Sequence, residues 1–155
     1  MYYFIIVDKT PKSLNSPFKT PEAGNRYKEY FRKSLIEYNP NYEMYETDDI
    51  YGIIYYFYRE HTAAAKRPPD VDNIAKLIWD SLTKHLYNSD AQLKYTINGI
   101  FNVPNDYDFR DDDNNLDLNV DLIGALISHD EVIYIECGKM DNSFYKINIE
   151  KQNEN

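Results

Sequence analysis

The chain has 155 residues, of which 43% are hydrophobic and 15% aromatic, which excludes a disordered protein and favours a single domain over residues 1–155. No stretch approaches the roughly 20 consecutive apolar residues of a membrane span. The net charge of −9 comes entirely from the C-terminal third, because residues 1–100 carry 13 acidic and 13 basic side chains and residues 101–155 carry 13 and 4. Since nucleic-acid-binding proteins usually have a basic surface, this balance by itself argues against that class.

The first element is a strand, because residues 2–8, "YYFIIVD", are aromatic and β-branched. The N-terminal stretch "MYYFIIVDKT" contains neither a basic leader nor a small-residue cleavage site, and the single cysteine, Cys137, cannot form an internal disulfide. Both features predict a cytoplasmic protein. Within the strand-like "VIYIEC", Cys137 is expected to be a small buried hydrophobe rather than a nucleophile.

The first helix is predicted to start at Thr20 and Pro21, because threonine is a good N-cap and proline suits the first helical position. It is expected to run to about residue 38, before "NPN". Its apolar face would consist of Tyr27, Phe31, Leu35 and Tyr38.

A second long strand is predicted over residues 49–60, and a second helix after Pro69. Three more strands are predicted over residues 92–103, 131–136 and 143–150, the last two joined by a turn near residues 140–142. This order of elements predicts an α+β domain with a mixed sheet and two main helices packed on it.

Much of the acidic excess lies in residues 105–121, "NDYDFRDDDNNLDLNVD", which are predicted to be an acidic loop inserted in the domain. Three of its side chains have the spacing of calcium ligands. An EF-hand would need Gly and Glu where Leu116 and Leu122 occur, so a calcium loop is rejected.

The stretch "RPPDVDNIAKLIWDSL", residues 67–82, combines a helical pattern with a row of charges. At 100° per residue, one side of the helix collects Ile74, Leu77, Ile78 and Leu82, and the opposite side collects Asp72, Lys76 and Asp80. Asp70 lies just before the helix and is held extended by the preceding prolines.

Two interpretations of these carboxylates remain open. In the first, Asp72 is an ordinary N-cap, and Lys76 and Asp80 form a surface pair at i,i+4. In the second, the carboxylates bind a metal for phosphate chemistry, because Mg²⁺ prefers carboxylate oxygens and retained waters.

Together with "SDAQL", residues 89–93, this stretch resembles the RusA family of Holliday junction resolvases. The family pattern is P-D-x-D-N-x-x-K-x-x-x-D-x-L followed by D-D-[SA]-Q-[IVL], and "PKSLN" at residues 11–15 is weakly similar to a family loop. The chain departs from the pattern at Ser89, where the family usually has a second Asp, and at Pro68 and Pro69, where it tends to have a basic residue. The matching residues are Pro69, Asp70, Asp72, Asn73, Lys76, Asp80, Leu82, Asp90, Ala91, Gln92 and Leu93.

The resemblance implies a RusA-like fold and a metal-dependent, structure-selective endodeoxyribonuclease that nicks Holliday junctions or other branched DNA in recombination and repair. It implies that Asp70, Asp72 and Asp90 hold Mg²⁺ or Mn²⁺ and that Lys76 stabilises charge on the scissile phosphate. It further implies a homodimer and a setting in a bacterial cytoplasm or a prophage. Beside such a site, the basic residues expected to contact DNA phosphates are Lys12, Lys66 and Arg67.

A second hypothesis belongs to another class of protein. The chain would be a catalytically weak or inactive regulatory protein with the resolvase fold, whose acidic C-terminal third binds a basic protein partner or mimics DNA. The charge distribution and Ser89 favour it. The presence of Asp70, Asp72, Lys76 and Asp90 together favours the enzyme.

Overall fold

The computed structural model describes residues 1–12, 18, 20–67, 69–104 and 120–141. Its strands are β1 (Tyr2–Val7), β2 (Ile50–Arg59), β3 (Leu93–Val103) and β4 (Glu131–Lys139). Its helices are α1 (Pro21–Tyr38), α2 (Ala63–Lys66), α3 (Val71–Leu82) and α4 (Val120–Ser128). None of the helices in the described ranges has both the length and the apolarity that a bilayer crossing requires.

The described strands form one sheet in the order β1-β4-β2-β3. β4 runs antiparallel to both β1 and β2, whereas β2 and β3 are parallel. A parallel pair needs a crossover connection, which α2 and α3 supply. The predicted α+β class with a mixed sheet is therefore confirmed.

Helix α1 begins as its sequence predicts, because the Thr20 side chain accepts a hydrogen bond from the Ala23 amide at 3.2 Å and Pro21 is the first helical residue. Tyr27, Phe31 and Leu35 are buried against the sheet. The prediction for Tyr38 is wrong, since its side chain is 42% exposed. It is the last residue of α1, which ends beside β1 at the edge of the described sheet.

Helix α3 packs on the same face of the sheet as α1, and all four residues of its predicted apolar side are buried. Trp79 joins them and lies directly over β2 at Gly52, where an added Cβ would come within 2.3 Å of the indole Cζ2. A glycine at this position therefore lets the helix approach the sheet closely.

Helix α4 packs on the opposite face of the sheet and was not predicted. Its Leu126 is buried with Ile5, Val132 and Tyr134 of β1 and β4, and the Leu126 carbonyl accepts a hydrogen bond of 2.7 Å from Arg59 Nη2. The segment predicted as an acidic loop thus overlaps a helix at residues 120 and 121. The rest of that segment, and the strand predicted over residues 143–150, lie outside the described residues.

Candidate active site

Helix α3 and strand β3 form the walls of a cavity of about 290 Å³. This space is large enough for a hydrated cation or a phosphate group. The cavity is lined by Asp72, Ala75, Lys76, Trp79, Asp80, Tyr87, Asp90, Leu93, Thr96 and Asn98.

Asp70 caps α3 and is not among the residues that line this cavity. Its backbone is extended, as expected after the prolines, and its Oδ1 accepts from the amides of Asp72 at 3.0 Å and Asn73 at 3.4 Å. The interpretation of Asp72 as the N-cap is therefore wrong. With Asp72 as N-cap the first helical residue would be Asn73, whereas α3 begins two residues earlier, at Val71.

The charged side of α3 faces the cavity. Asp72, Lys76 and Asp80 all line it, with Asp72 and Lys76 exposed to solvent. In the described structure Lys76 and Asp80 do not form an ion pair. The simple surface-pair interpretation therefore does not account for their placement, and both side chains are available to groups that enter the cavity.

Asp90 reaches the cavity from a short 3₁₀ turn held in place by its neighbours. The Ser89 hydroxyl accepts from the Ala91 amide at 3.2 Å. Gln92 Oε1 accepts from the amides of Asn88 at 2.8 Å and Ser89 at 3.0 Å. Ser89 and Gln92 thus form a capping box, so the serine that replaces a family aspartate is a working helix cap.

The amide nitrogen of Gln92 ties this turn to the chain before β2. It donates to the carbonyls of Tyr45 at 2.9 Å and Asp48 at 3.1 Å, and the side chain is buried. Both ends of one amide are therefore satisfied by backbone groups from two separate segments. This explains in physical terms why a glutamine follows the aspartate in the motif.

The carboxylates line the cavity as a row. Asp90 Oδ1 lies 3.1 Å from the Thr83 hydroxyl, and Thr83 directly follows α3. Asp72 is at the other end of that helix, so helix geometry separates its Cα from that of Thr83 by about 16 Å. Accordingly, no three His, Cys, Asp or Glu side chains in the described parts of the chain are grouped closely enough to hold one metal ion.

Two polar atoms at the cavity have no partner among the described residues, the indole Nε1 of Trp79 and the carboxamide Oδ1 of Asn98. The hydroxyl of Tyr87, by contrast, has a partner, because it donates a hydrogen bond of 2.9 Å to the Trp79 carbonyl. Burial, with smaller contributions from Asp90 and Asp80, raises the pKa of Tyr87 above its usual value, so it remains protonated.

Sequence reasoning missed Thr96 and Asn98. A signal for them exists in "LKYTINGIFNV", where polar residues at 94, 96, 98 and 102 alternate with apolar ones. Alternation of this kind gives a strand one polar face. In β3 that face meets α3 across the cavity.

The donor set of the cavity suits a divalent cation. Three carboxylates and one ammonium line it, so its formal charge is negative and a DNA phosphate would be repelled without a cation. Mg²⁺ commonly binds to one or two carboxylates and keeps several waters, and carbonyl oxygens suit Mg²⁺ and Mn²⁺ as well.

The three basic residues predicted to contact DNA are exposed and lie outside the cavity lining. Lys66 ends α2 and Arg67 caps it, so both belong to the crossover that leads to Asp70. Lys12 follows β1, and its backbone amide donates to the Tyr27 hydroxyl at 2.9 Å.

Comparison with known proteins agrees with the resemblance in the sequence. A family model described as Endodeoxyribonuclease RusA matches residues 9–106, well over half of the chain, and this range includes α3, Asp90 and β3. Among curated proteins, no match is found. RusA endodeoxyribonucleases are Holliday junction resolvases, so the family implies nuclease activity on branched DNA. The chain belongs to the RusA endodeoxyribonuclease family.

Proposed function

We propose that this protein is a divalent-cation-dependent, structure-selective endodeoxyribonuclease that nicks Holliday junctions or other branched DNA. The observation that carries the proposal is the cavity between α3 and β3, which Asp72, Lys76 and Asp90 all line. These residues come from two separate motif blocks of the sequence. Capping α3 would not require them to face a common cavity.

Asp70, Asp72 and Asp90 would supply the carboxylate oxygens for divalent cations. Asp72 would do so from the N-terminal end of α3, and Asp90 from the cavity wall near the C-terminal end of that helix. Asp70 would use Oδ2, because its Oδ1 already holds the amides at the start of α3. A bound Mg²⁺ or Mn²⁺ would supply the activated water and the neutralising charge that phosphodiester hydrolysis needs.

Lys76 would stabilise the charge that develops on the scissile phosphate. It lies one helical turn beyond Asp72 on the same side of α3. Because Lys76 is exposed to solvent, its ammonium group can reach a phosphate that enters the cavity. It would also orient the phosphate between the carboxylates.

The DNA backbone would contact Lys66 and Arg67, which are exposed immediately before the α3 N-terminus, and Lys12 in the segment after β1. A four-way junction presents two strands for symmetric cleavage. A homodimer with one such cavity per subunit would nick both.

The test is cleavage of an end-labelled four-way DNA junction in Mg²⁺, in Mn²⁺ and in EDTA. We expect symmetric nicks in either metal and none in EDTA. Asp72→Asn or Asp90→Asn should lower the cleavage rate at least about 100-fold, as loss of a group that stabilises a transition-state charge typically does. Asp49→Asn is the matched control, because within the described structure the Asp49 side chain makes an exposed ion pair of 3.7 Å with Lys94 and does not line the cavity.

A deletion of residues 106–118 completes the experiment, since it removes most of the acidic segment and spares α4. Cleavage by the deletion variant but not by the intact chain would make the acidic segment an inhibitor of the enzyme. If two folded proteins, intact and deleted, both fail to cleave, the enzyme proposal is wrong. The regulatory alternative, with a basic protein partner or a role as a DNA mimic, would then be preferred.

A further inference from the structure

The backbone and the carboxylate of Asp90 are held by different residues. Gln92 fixes the backbone of the turn through the amides of its neighbours. The carboxylate is contacted by Thr83, whose hydroxyl lies 3.1 Å from Oδ1. No other hydrogen bond reaches this carboxylate from the described part of the chain, and the residue is exposed to solvent. Thr83 is therefore the group that can select one rotamer of the Asp90 side chain.

The Thr83 hydroxyl has one proton and three acceptors within reach. Besides Asp90 Oδ1, they are the Trp79 carbonyl at 3.1 Å and the Tyr87 hydroxyl oxygen at 3.2 Å. A carbonyl oxygen has two lone pairs. Those of Trp79 already accept from the Thr83 amide at 3.1 Å and from the Tyr87 hydroxyl at 2.9 Å. Because a carboxylate is a stronger acceptor than a neutral hydroxyl, the Thr83 proton goes to Asp90.

Tyr87 thus directs the Thr83 proton by occupying the Trp79 carbonyl. It is buried, and burial raises its pKa, so its hydroxyl remains a donor. The turn after α3 brings it to this position. Lys84 has a left-handed backbone with φ 68°, and its amide donates to the Tyr87 carbonyl at 2.6 Å. The chain therefore turns back, and the Tyr87 hydroxyl meets the last turn of α3.

We propose that Thr83 is a positioning residue for Asp90, whose Oδ1 it holds so that Oδ2 is left for a divalent cation. Asp90 lines the cavity, and its Oδ2 accepts no hydrogen bond from the described residues. A group that hydrogen-bonds to a metal ligand orients it, and its loss typically costs about 10- to 100-fold in metal affinity or activity. This inference rests on the proposed function, because it explains how one of the proposed ligands is oriented.

A local role for Thr83 is the competing explanation. Threonine hydroxyls often donate to the carbonyl four residues earlier in a helix, which here is that of Trp79. In that arrangement the Asp90 carboxylate would have no donor from Thr83 and would rotate in solvent. The two explanations predict different Asp90 rotamers, which can be measured without metal and without DNA.

The experiment measures the three-bond NMR couplings from Asp90 Cγ to its backbone nitrogen and carbonyl carbon, in EDTA. These couplings report the χ1 rotamer. We expect a single rotamer in the natural chain and in Thr83→Ser, which keeps the hydroxyl, and averaged couplings in Thr83→Val. Thr10→Val is the matched control, because the Thr10 hydroxyl also donates to a carboxylate, Glu131 Oε2 at 2.7 Å, and neither residue lines the cavity.

Tyr87→Phe tests the direction of the proton. It frees a lone pair of the Trp79 carbonyl, so the Thr83 proton divides between Trp79 and Asp90. The Asp90 couplings should then shift part of the way toward those of Thr83→Val. In the Thr83→Val background the same substitution should add no further shift.

Single-turnover cleavage of a four-way junction in Mn²⁺ gives the second readout. The rate of Thr83→Val should fall at least about tenfold. Thr83→Ser and Thr10→Val should cleave at the rate of the natural chain. Rescue by serine would assign the effect to the hydroxyl and not to the shape of the side chain.

Three results overturn the inference. They are averaged Asp90 couplings in the natural chain, a single rotamer retained in Thr83→Val, and equal cleavage by Thr83→Val and the natural chain. A different result separates the inference from the proposed function. If Thr83 fixes the Asp90 rotamer and the natural chain cleaves no junction, the positioning role stands and the proposed nuclease is wrong.

Discussion

At the scale of single residues, the motif contains side chains that do chemistry and side chains that hold them in place. Gln92 belongs to the second kind. Its amide makes four hydrogen bonds to the backbone, two within the Asp90 turn and two to the segment before β2. The position of Asp90 at the cavity therefore depends on a neighbour that never touches the cavity.

We predict that Gln92→Leu lowers the free energy of unfolding by about 2–3 kcal/mol, because it leaves the buried carbonyl of Tyr45, the part-buried carbonyl of Asp48 and two part-buried amides without partners. Junction cleavage should fall as well, since the Asp90 turn is released. Urea denaturation and a single-turnover cleavage assay would measure the two effects.

Ser89→Asp is the comparison for Gln92→Leu. Aspartate caps a helix about as well as serine, so the stability should change by less than about 0.5 kcal/mol. A stable Gln92→Leu protein with full activity would contradict the positioning role.

At the scale of elements, the cavity depends on how closely α3 approaches β2. Trp79 lies over the bare backbone of Gly52, and an added Cβ there would stand 2.3 Å from Cζ2 and 2.6 Å from Cη2 of the indole. Because Trp79 is also part of the cavity wall, any shift of this ring changes the shape of the site.

We predict that Gly52→Ala lowers the free energy of unfolding by about 1–3 kcal/mol, the usual cost of overpacking a well-filled core. Gly124→Ala is the opposite case, because an added Cβ in α4 meets nothing within 4 Å. It should raise the free energy of unfolding by about 0.5–1 kcal/mol through helix propensity. Chemical denaturation of both variants tests the two predictions. If Gly52→Ala changes the free energy of unfolding as Gly124→Ala does, the Trp79 ring moves aside without destabilising the fold.

At the scale of the whole molecule, the stability at high pH depends on groups buried throughout the core. Burial raises the pKa of the Cys137 thiol from 9.0 to about 12, and burial likewise raises that of Tyr27 from 10.0 to about 12. The folded protein favours the neutral forms. Their contribution to stability is therefore complete below the unfolded pKa values and is lost as the pH rises toward the folded ones.

We predict a constant free energy of unfolding between about pH 7 and 8.5 and a decline above pH 9, with Cys137 contributing up to about 1.4 kcal/mol per pH unit. The tyrosines add to the decline above pH 10. Urea denaturation of the natural chain and of Cys137→Ala between pH 7 and 10 would test this. The same slope in both proteins between pH 9 and 10 would assign the decline to other groups.

Local patterns were sufficient for the elements whose environment is uniform along their length. The Thr20–Pro21 start of α1, the buried side of α3 and the strands β1 to β4 follow from capping chemistry, a helical period and runs of β-branched and aromatic residues. The motif residues also identified the family, because their order along the chain is a property of sequence alone.

Only the tertiary structure decided which residues meet. The N-cap of α3 is Asp70 instead of Asp72, and Tyr38 is exposed at the edge of the sheet. Helix α4 forms next to an acidic segment. The tertiary structure also places Thr96 and Asn98 opposite α3. These outcomes depend on contacts between segments far apart in sequence, and a local pattern of charge or hydropathy contains no information about the surface that will lie across from it.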